Sequence, residues 1–451
     1  MYKIETERGD LFDVNMMIVM KAAVSGAEKL SFAEAEKAFR EATAAYEILN
    51  SKIMMKADGS CFYEPFSSGA EATGQGGAQK AVQSAPADNV PDGQPLHNPA
   101  QTQTISPCNI PLEELIQQQQ KIRFRLEDGE FLRCFVYEPC DGKRDFVFLM
   151  HHLGGDGKSL CYFIETFLNC LCASGKTPEY QPIKLLTSAN LPKDSALPFA
   201  AKLLAKHYNK LWQKEQGKKA KQPQAQKRCF SFKDMQTAYD HFWQNRRTTI
   251  SVQYTDAAAL QQELAECKRH GIGYTSYTIA KLLKDESGKK SVGLAVDARP
   301  DGNRTMSNQA TGISVDYAYD SRKTLIENAA CIDKLMKAKL AKPALKYFIL
   351  QFMAAFEPVL VDAVNLEFAG SFHSKTSEKL AKLLGYGTNT KDFSITNLTK
   401  LDIPAEYSGS RASLKIEDFV FVPPVVSYGK NIIGMVTLNG RLCTVQHRYE
   451  N

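Results

Sequence analysis

The stretch "FLMHHLGGDGKSL", residues 148–160, joins an apolar run to a glycine-rich turn and then to an amphipathic segment. Residues 146–152 have the composition of a buried β-strand that ends in two adjacent histidines, His151 and His152. From Gly157 onward the apolar residues recur at helical spacing, and they predict a buried stripe of Leu160, Phe163, Ile164, Phe167, Leu168 and Leu171. The stretch therefore predicts a strand, a turn and a helix, with ionisable side chains at the turn.

Two common sites fit this stretch poorly. A phosphate-binding loop of the pattern Gly-x-x-x-x-Gly-Lys-Ser/Thr would end at Gly157-Lys158-Ser159 and needs a glycine at position 152, where the chain has histidine. Adjacent residues of a strand point to opposite faces, so two neighbouring histidines rarely share one metal ion. Asp156 could join one of them, but no third ligand follows at useful spacing, and we expect no metal.

The composition is that of a globular chain. The 451 residues are 43% hydrophobic and 24% charged, which predicts two or three domains. The start, "MYKIETERGD", lacks the apolar core of a signal peptide. The most apolar window, residues 344–364, contains Lys346, Glu357 and Pro358, which disfavours a membrane span. Eleven cysteines without a CxxC pair disfavour a zinc ribbon or disulfide scaffold, and we expect reduced thiols in a cytoplasmic protein.

Two segments differ from the rest in composition. Residues 66–108 are rich in Gly, Ala, Gln, Pro and Ser without any period, which predicts a largely disordered surface insertion. Residues 202–228 contain nine Lys or Arg and one acidic residue, a local charge of +8 in a chain of net charge +6. Lysines four residues apart share one helical face there: Lys202, Lys206, Lys210 and Lys214. 

The basic segment has two interpretations. It is either a solvated helix face followed by a linker, or a contact for an anionic partner or a phosphorylated cofactor tail. Nucleic-acid binding is disfavoured, because the segment lacks the interleaved aromatic residues of a stacking surface.

The remaining patterns indicate a mixed α/β (α+β) fold with hairpins rather than a regular βαβ series. Ser31 and Glu34 form a capping-box pattern before a helix. Asp58-Gly59 and Asp141-Gly142 predict two hairpin turns. A long helical region is expected over residues 321–365. Strand-like runs follow it: "DFSITNLTKLDI", "EDFVFVPPVV", "NIIGMVTLNG" and "RLCTVQHRY".

The run His151-His152-x-x-x-Asp156-Gly157 fits HHxxxDG, and the chain thereby resembles the superfamily of chloramphenicol acetyltransferases, nonribosomal peptide condensation domains and related CoA-dependent acyltransferases. Further segments are similar to family elements: "YEILNSKIMMKADGSCFYE", "SVGLAVDARP", "NQATGISV" and "FSITNLTKLDI". The resemblance spans nearly the whole chain outside the two segments of unusual composition. The DFGWG box of the plant branch is absent.

The resemblance implies two chloramphenicol acetyltransferase-like lobes with a channel between them. Residues 1–195 would form the N-terminal lobe, residues 196–228 a basic helix and linker, and residues 229–451 the C-terminal lobe. The motif would lie at the junction, where the acyl donor enters from one side and the acceptor from the other.

The resemblance also implies an activity: transfer of an acyl group from a thioester of CoA or a carrier protein to a hydroxyl or amine, without a tightly bound cofactor or a covalent acyl-enzyme. His152 would be the general base. Asp156 would pair with an arginine, for which Arg299 is the candidate. Gly157 would allow close backbone approach, and its N–H could stabilise the oxyanion. 

Thr396 and Asn397 are weaker candidates for lining the channel. The sequence contains nothing similar to a carrier or adenylation domain, which favours a stand-alone chain and free CoA thioesters. The alternative is a condensation-like fold without transfer activity that serves as a binding or carrier-protein docking module. The acyl chain length and the acceptor stay open.

Overall fold

A computed structural model describes residues 1–66, 102–173, 177–219, 229–300, 303–387, 391–427, 429 and 431–450. Within these ranges the strands are β1 (Tyr2–Lys3), β2 (Met17–Ser25), β3 (Ser51–Met55), β4 (Cys61–Pro65), β5 (Thr104–Cys108), β6 (Leu132–Tyr137), β7 (Lys143–His151), β8 (Thr248–Thr255), β9 (Lys289–Asp297), β10 (Ala310–Ala318), β11 (Phe393–Lys400), β12 (Glu406–Ser408), β13 (Ser413–Val422), β14 (Asn431–Leu438) and β15 (Arg441–Tyr449).

The helices over the same ranges are α1 (Phe32–Ala44), α2 (Leu112–Gln119), α3 (Gly157–Cys172), α4 (Phe199–Lys219), α5 (Phe232–Trp243), α6 (Ala257–Arg269), α7 (Tyr274–Leu283), α8 (Leu325–Leu340), α9 (Pro343–Lys346), α10 (Phe348–Ala354), α11 (Pro358–Phe368) and α12 (Lys375–Leu384). Two short 3-10 turns, Arg8–Asp10 and His152–Gly154, carry ionisable side chains.

The strands form two large sheets and a small one. The first sheet has the order β12-β13-β2-β7-β6-β5, and the second has the order β10-β9-β11-β14-β15-β8. A third sheet, β1-β4-β3, has three strands. Most neighbours are antiparallel, whereas β5 lies parallel to β6 and β11 lies parallel to both β9 and β14. The predicted mixed fold of two α/β halves is confirmed.

Local sequence signals form the expected elements. Ser31 Oγ accepts a hydrogen bond from Glu34 N at 3.2 Å, and Ser31 N donates to Glu34 Oε2 at 2.8 Å, so the capping box starts α1. The two predicted hairpins are β3–β4 and β6–β7. At the turn of the second hairpin Asp141 and Gly142 both have positive φ, 50° and 69°, as an Asp-Gly hairpin turn requires.

The disordered insertion predicted for residues 66–108 is wrong at its C-terminal end. Residues 67–101 lie outside the described ranges, but Thr104–Cys108 is the edge strand β5. Gln103 holds it there, since its Oε1 accepts hydrogen bonds from the backbone N–H groups of Phe131 and Leu132 at 3.0 and 2.8 Å. Pro107 is compatible with this strand because an edge position does not need every backbone donor.

The helical region predicted for residues 321–365 is interrupted. It consists of four helices, α8 to α11, and two of them begin with a proline, Pro343 and Pro358. Proline has no N–H and is favoured in the first turn of a helix, so each one marks a new start rather than a continuation. No single helix among the described residues has the length and apolar character to cross a bilayer. The bent pair α10 and α11, at 105°, meets that test by length and composition only.

Residues 229–451 do not form one separate lobe. β12 and β13 lie in the first sheet, where β13 pairs antiparallel with β2. The last four residues of β13, Phe419–Val422, are all buried and pair with Val19–Ala22 of β2. The larger apolar core accordingly joins the first sheet to helices from both halves of the chain, whereas a second core lies between the second sheet and α7 and α8.

The basic segment begins as a helix. Within α4 the side chain of Trp212 is buried, and the four lysines that share one face are exposed. Residues 220–228, which the sequence indicates as a linker, lie outside the described ranges. No two cysteines are joined by a disulfide within the described ranges.

The contact between β13 and β14 gives a test of how the two sheets pack. A Cβ at Gly434 would lie 2.6 Å from the backbone oxygen of Phe421 and 2.5 Å from Cδ of Pro423. We expect Gly434→Ala to lower the free energy of unfolding by about 1–3 kcal/mol, measured by urea denaturation, because backbone has to move to accommodate the methyl group. 

Gly312→Ala in β10 is the matched control. A Cβ there meets only the Leu294 backbone oxygen, at 3.6 Å, an ordinary contact. It should change the stability by less than about 1 kcal/mol, with a gain expected from the lower entropy of the unfolded chain. Equal losses for the two variants would contradict a specific close approach at Gly434.

Candidate active site

The turn between β7 and α3 carries the two histidines and Asp156. β7 ends at His151, His152 opens a 3-10 turn, and Asp156 is the N-cap of α3, where its Oδ1 accepts from Ser159 N at 3.0 Å. Gly155 connects the two parts with φ 149°, and a Cβ there would lie 2.5 Å from the Ser159 Cβ. Glycine is therefore required between the histidines and the helix.

His151 is sealed in the core. Its Nδ1 accepts a hydrogen bond from Leu153 N at 3.1 Å, and its ring makes an edge contact with Phe124. Burial, followed by the charges of His152 and of two nearby arginines, lowers the pKa of His151 to about 3. The ring is therefore neutral at physiological pH. Its hydrogen bond with Leu153 N supports the turn from the buried side.

His152 lies at the surface of the turn, with 18% of its side chain exposed. Its backbone N–H donates to the carbonyl of Met16 at 2.8 Å, which fixes the residue against the start of β2. The ring nitrogen Nδ1 is buried without a hydrogen-bond partner among the described residues, and it lies 3.8 Å from Oδ2 of Asp10. Of the two histidines, only His152 has a ring that solvent reaches.

Asp10 comes from the N-terminal 3-10 turn and was not singled out by the sequence analysis. Its Oδ2 also accepts a hydrogen bond from Asn308 Nδ2 at 2.7 Å. Burial raises the pKa of Asp10, while His152 and the Asn308 amide act in the opposite direction. Asn308, which precedes β10 of the second sheet, thus holds the Asp10 carboxylate beside the imidazole of His152.

Glu7, three residues before Asp10, is linked through Tyr63 to the turn that carries His152. The Tyr63 hydroxyl lies 2.8 Å from both Glu7 Oε1 and the carbonyl oxygen of Leu153. A hydroxyl has one hydrogen, so Tyr63 can serve both contacts only if a protonated Glu7 donates to it while it donates to Leu153. Burial raises the pKa of Glu7 to about 8, and the charge of Asp10 acts in the same direction against the hydrogen bond with Tyr63, so the acid is mostly protonated at neutral pH.

Asp156 is paired with Arg299, the arginine named as its candidate partner. Arg299 Nη2 lies 2.5 Å from Asp156 Oδ1 and 2.7 Å from Ser159 Oγ, and the two charged side chains are only 5% and 7% exposed. Arg299 follows β9 of the second sheet, so this buried ion pair connects the two halves of the molecule. Asp156 points into this contact rather than toward His152.

The segment Ser307–Gln309 completes the contact. Gln309 N donates to Asp156 Oδ2 at 2.9 Å, and the Ser159 hydroxyl donates to the carbonyl of Ser307 at 2.9 Å. Asn308, between them, is the residue that holds Asp10. Three consecutive residues therefore fasten both the start of α3 and the carboxylate beside His152.

The remaining candidate residues lie on β11 and at the start of α3. A Cβ at Gly157 would lie 3.1 Å from Cδ2 of Leu398, so β11 approaches the helix N-terminus closely. The Asn397 amide donates to Thr275 Oγ1 at 3.1 Å, toward α7, and Thr396 is half-buried. Among the described residues neither Thr396 nor Asn397 makes a hydrogen bond to His152, and the residue of this strand that reaches Gly157 is Leu398.

Sequence reasoning missed Glu7, Asp10 and Tyr63. The first two belong to the short charged segment "TERGD", which has no periodicity and matches no motif. Tyr63 had a weak signal, since strand alternation in "CFYEP" places it on the buried face, and a buried tyrosine hydroxyl needs a partner. No group of three or more potential metal ligands occurs in the described part of the chain.

The ion pair predicts a loss of stability in Asp156→Asn. The amide can still accept from Ser159 N, but it leaves the buried guanidinium of Arg299 without its main counter-charge. We expect a loss of about 3 kcal/mol in the free energy of unfolding, with reduced soluble yield, measured by chemical denaturation.

Asp320→Asn is the control for that experiment. It removes a carboxylate that pairs with Arg322, whose side chain is 88% exposed, so its effect should be far smaller. Combining Asp156→Asn with Arg299→Met should recover part of the loss, since no unpaired charge remains. A loss at Asp156 no greater than that at Asp320 would contradict a structural ion pair.

The raised pKa of Glu7 predicts a pH dependence of stability. The folded-state pKa of about 8 lies above the ordinary value of 4.5, so the native state retains a proton that the unfolded state releases between these limits. Stability from this group is complete below pH 4.5 and declines as the pH rises to about 8, by roughly 1.4 kcal/mol per pH unit.

Glu7→Gln keeps a donor to Tyr63 and has no proton to lose. We expect its stability to exceed that of the wild type increasingly from pH 5 to pH 8, measured by urea denaturation at each pH. Glu5→Gln, two residues away and paired only with exposed partners, should follow the wild-type curve. Parallel curves for all three proteins would show that Glu7 is ionised in the fold.

Comparison with known proteins shows which solved structures share the fold of this chain. No family model matches the chain, and no curated protein matches it in sequence. Among solved structures, the first condensation domain of the CDA synthetase has a TM-score of 0.56 at 11% identity, over 98% of this chain and 87% of that one. A trichothecene 15-O-acetyltransferase from Fusarium sporotrichioides has a TM-score of 0.57 at 11% identity, over 99% and 91%.

The epimerization domain from the third module of tyrocidine synthetase B is also similar, with a TM-score of 0.55 at 12% identity over 97% of this chain and 86% of that one. These matches cover nearly the whole of both partners. The chain thus has the fold of condensation domains and of chloramphenicol acetyltransferase-like acyltransferases.

Proposed function

We propose that this protein transfers an acyl group from a thioester, of CoA or of a carrier protein, to a hydroxyl or amine acceptor, with His152 as the general base. The observation that carries the proposal is the contrast between the adjacent histidines. A general base must come within hydrogen-bond distance of the substrate proton. His151 is fully enclosed, whereas the ring of His152 is accessible at the end of β7.

The proposed step takes place at one site without an acyl-enzyme. His152 Nε2 accepts the proton of the acceptor, and the acceptor's lone pair attacks the thioester carbonyl carbon to form the new C–O or C–N bond. Collapse of the tetrahedral intermediate breaks the C–S bond, and the imidazolium returns its proton to the thiolate. The products are an ester or amide and a free thiol, and His152 is neutral again.

The developing oxyanion needs donors, and the N-terminus of α3 supplies candidates. Gly157 is the first residue of the helix, and the N–H groups of a first helical turn have no partner within the helix. They carry partial positive charge and suit a developing negative charge. Asp156, engaged with Arg299, would contribute by holding this turn rather than by contacting substrate.

The proposed donor is free acyl-CoA, with a carrier-protein thioester as the second candidate. The exposed lysines of α4 offer an anionic partner or a phosphorylated cofactor tail a positive surface. Thr396 and Asn397 stay candidates for lining the acceptor side.

His152→Ala tests the proposal. In a thiol-release assay over a panel of acyl-CoAs with alcohol and amine acceptors, we expect the variant to lose about 10²–10⁴-fold in kcat, because the proton transfer loses its base. The melting temperature should change little, since the ring is partly exposed and makes no hydrogen bond among the described residues. 

His270→Ala, at the exposed end of α6, is the matched control and should retain the wild-type rate. Acyl transfer by His152→Ala at the wild-type rate would overturn the general-base assignment. Wild-type protein that binds a thioester without turnover across the panel would instead support the alternative, a binding or carrier-protein docking module.

A further inference from the structure

The two nitrogens of His152 lie in different environments. A neutral imidazole carries one N–H and one lone pair, and a general base needs the lone pair on the nitrogen that faces substrate. The hydrogen then has to be on the other nitrogen, Nδ1, which is buried and has no hydrogen-bond partner among the described residues. A buried N–H without an acceptor is destabilising, so this tautomer needs an acceptor nearby.

We propose that Asp10 is the positioning residue of His152: its carboxylate accepts the Nδ1 hydrogen, fixes the tautomer with the lone pair on Nε2, and stabilises the imidazolium formed during transfer. This inference rests on the proposed function of His152 as the base. In the described structure, Asp10 has the only carboxylate oxygen within 4 Å of a nitrogen of His152. 

The present distance of 3.8 Å is longer than a hydrogen bond. N–H···O bonds have donor–acceptor distances of about 2.7–3.2 Å, so the two groups must approach by about 1 Å or less. Catalytic hydrogen bonds are often long without substrate and shorten when substrate is bound. The Asp10–His152 contact belongs to this type.

Asp10 lies on a rigid support. Its backbone N–H donates to the carbonyl of Glu7 at 3.0 Å, and its carboxylate is held by Asn308 at 2.7 Å. Arg8, in the same 3-10 turn, forms an ion pair with Asp362 of α11 at 2.5 Å, and both of these side chains are almost fully buried. The turn is therefore fastened to the core on one side and to the second sheet on the other.

The neighbouring acid does not compete for the role. Glu7 contacts the Tyr63 hydroxyl, and burial raises its pKa to about 8, so it is mostly uncharged at neutral pH. In the described structure it does not come within 4 Å of a nitrogen of His152. Asp10 remains the one carboxylate that balances the imidazolium. During the step the proton moves from acceptor to Nε2 and then to the thiolate, while Asp10 stays ionised and the Nδ1 hydrogen stays on the ring.

The first test measures the tautomer directly. The ¹⁵N chemical shifts of histidine side chains distinguish an N–H nitrogen from one with a lone pair, and the protein has eight histidines. The signals of His152 are identified by their loss in His152→Gln. We expect the neutral ring of the wild type to carry its hydrogen on Nδ1. A hydrogen on Nε2 in the wild type would overturn the proposal without reference to any activity.

The second test uses Asp10→Ala, because Oδ2 of Asp10 also accepts from Asn308 and an asparagine would keep its oxygen at that position. Without an acceptor for Nδ1 we expect the ring hydrogen to shift to Nε2 and kcat to fall about 10²–10⁴-fold with KM changed less than threefold. Glu5→Gln removes a carboxylate from the same segment, where its partners are Lys3 and Ser188, and should leave both the tautomer and kcat unchanged.

The outcomes separate this inference from the function on which it rests. A tautomer in Asp10→Ala that equals the wild type, or a wild-type kcat in that variant, would overturn the role of Asp10. If the tautomer shifts as expected while the wild type transfers no acyl group from any donor, the positioning of His152 by Asp10 stands and the acyltransferase proposal fails. An unchanged melting temperature in Asp10→Ala excludes unfolding as the cause of lost activity.

Discussion

The buried ion pair between Asp156 and Arg299 is the contact on which the geometry of the site depends. The two residues are 143 positions apart in the chain, and neither charge could be buried alone without a large desolvation cost. Asp156 begins α3, and Arg299 leaves β9, so the pair fixes where the first sheet's central strand-turn-helix unit meets the second sheet. The position of His152, four residues before Asp156, follows from that contact.

Burial separates the ionisable groups of this turn and of the neighbouring N-terminal 3-10 turn. It lowers the pKa of His151 to about 3 and raises the pKa of Glu7 to about 8, so both side chains are mostly uncharged near neutral pH. His152 and Asp10 keep partial access to water and face each other. Groups of the same chemical kind thus lie in different environments, an arrangement by which proteins separate structural from chemical roles.

The sequence predicted the features that are encoded locally and missed those that are not. The capping box at Ser31, the two Asp-Gly hairpins and the helix from Gly157 depend on residues close together in the chain, and all form as expected. The return of β13 to the first sheet depends on pairing with β2, nearly 400 residues earlier, which no local pattern specifies. Leu398 rather than Asn397 reaches Gly157, because Asn397 is bound toward α7 and the register of β11 shifts after it.

The fold by itself does not decide the reaction, because condensation, acetyl transfer and epimerization domains share it. The acid–base groups beside His152 are more informative. Asp10 is the only carboxylate within 4 Å of a His152 nitrogen in the described structure, so a single negative charge would balance the imidazolium of the proposed step. For the proposed function, this charge balance favours an acceptor that approaches His152 as an uncharged alcohol or amine, with its proton still to be removed.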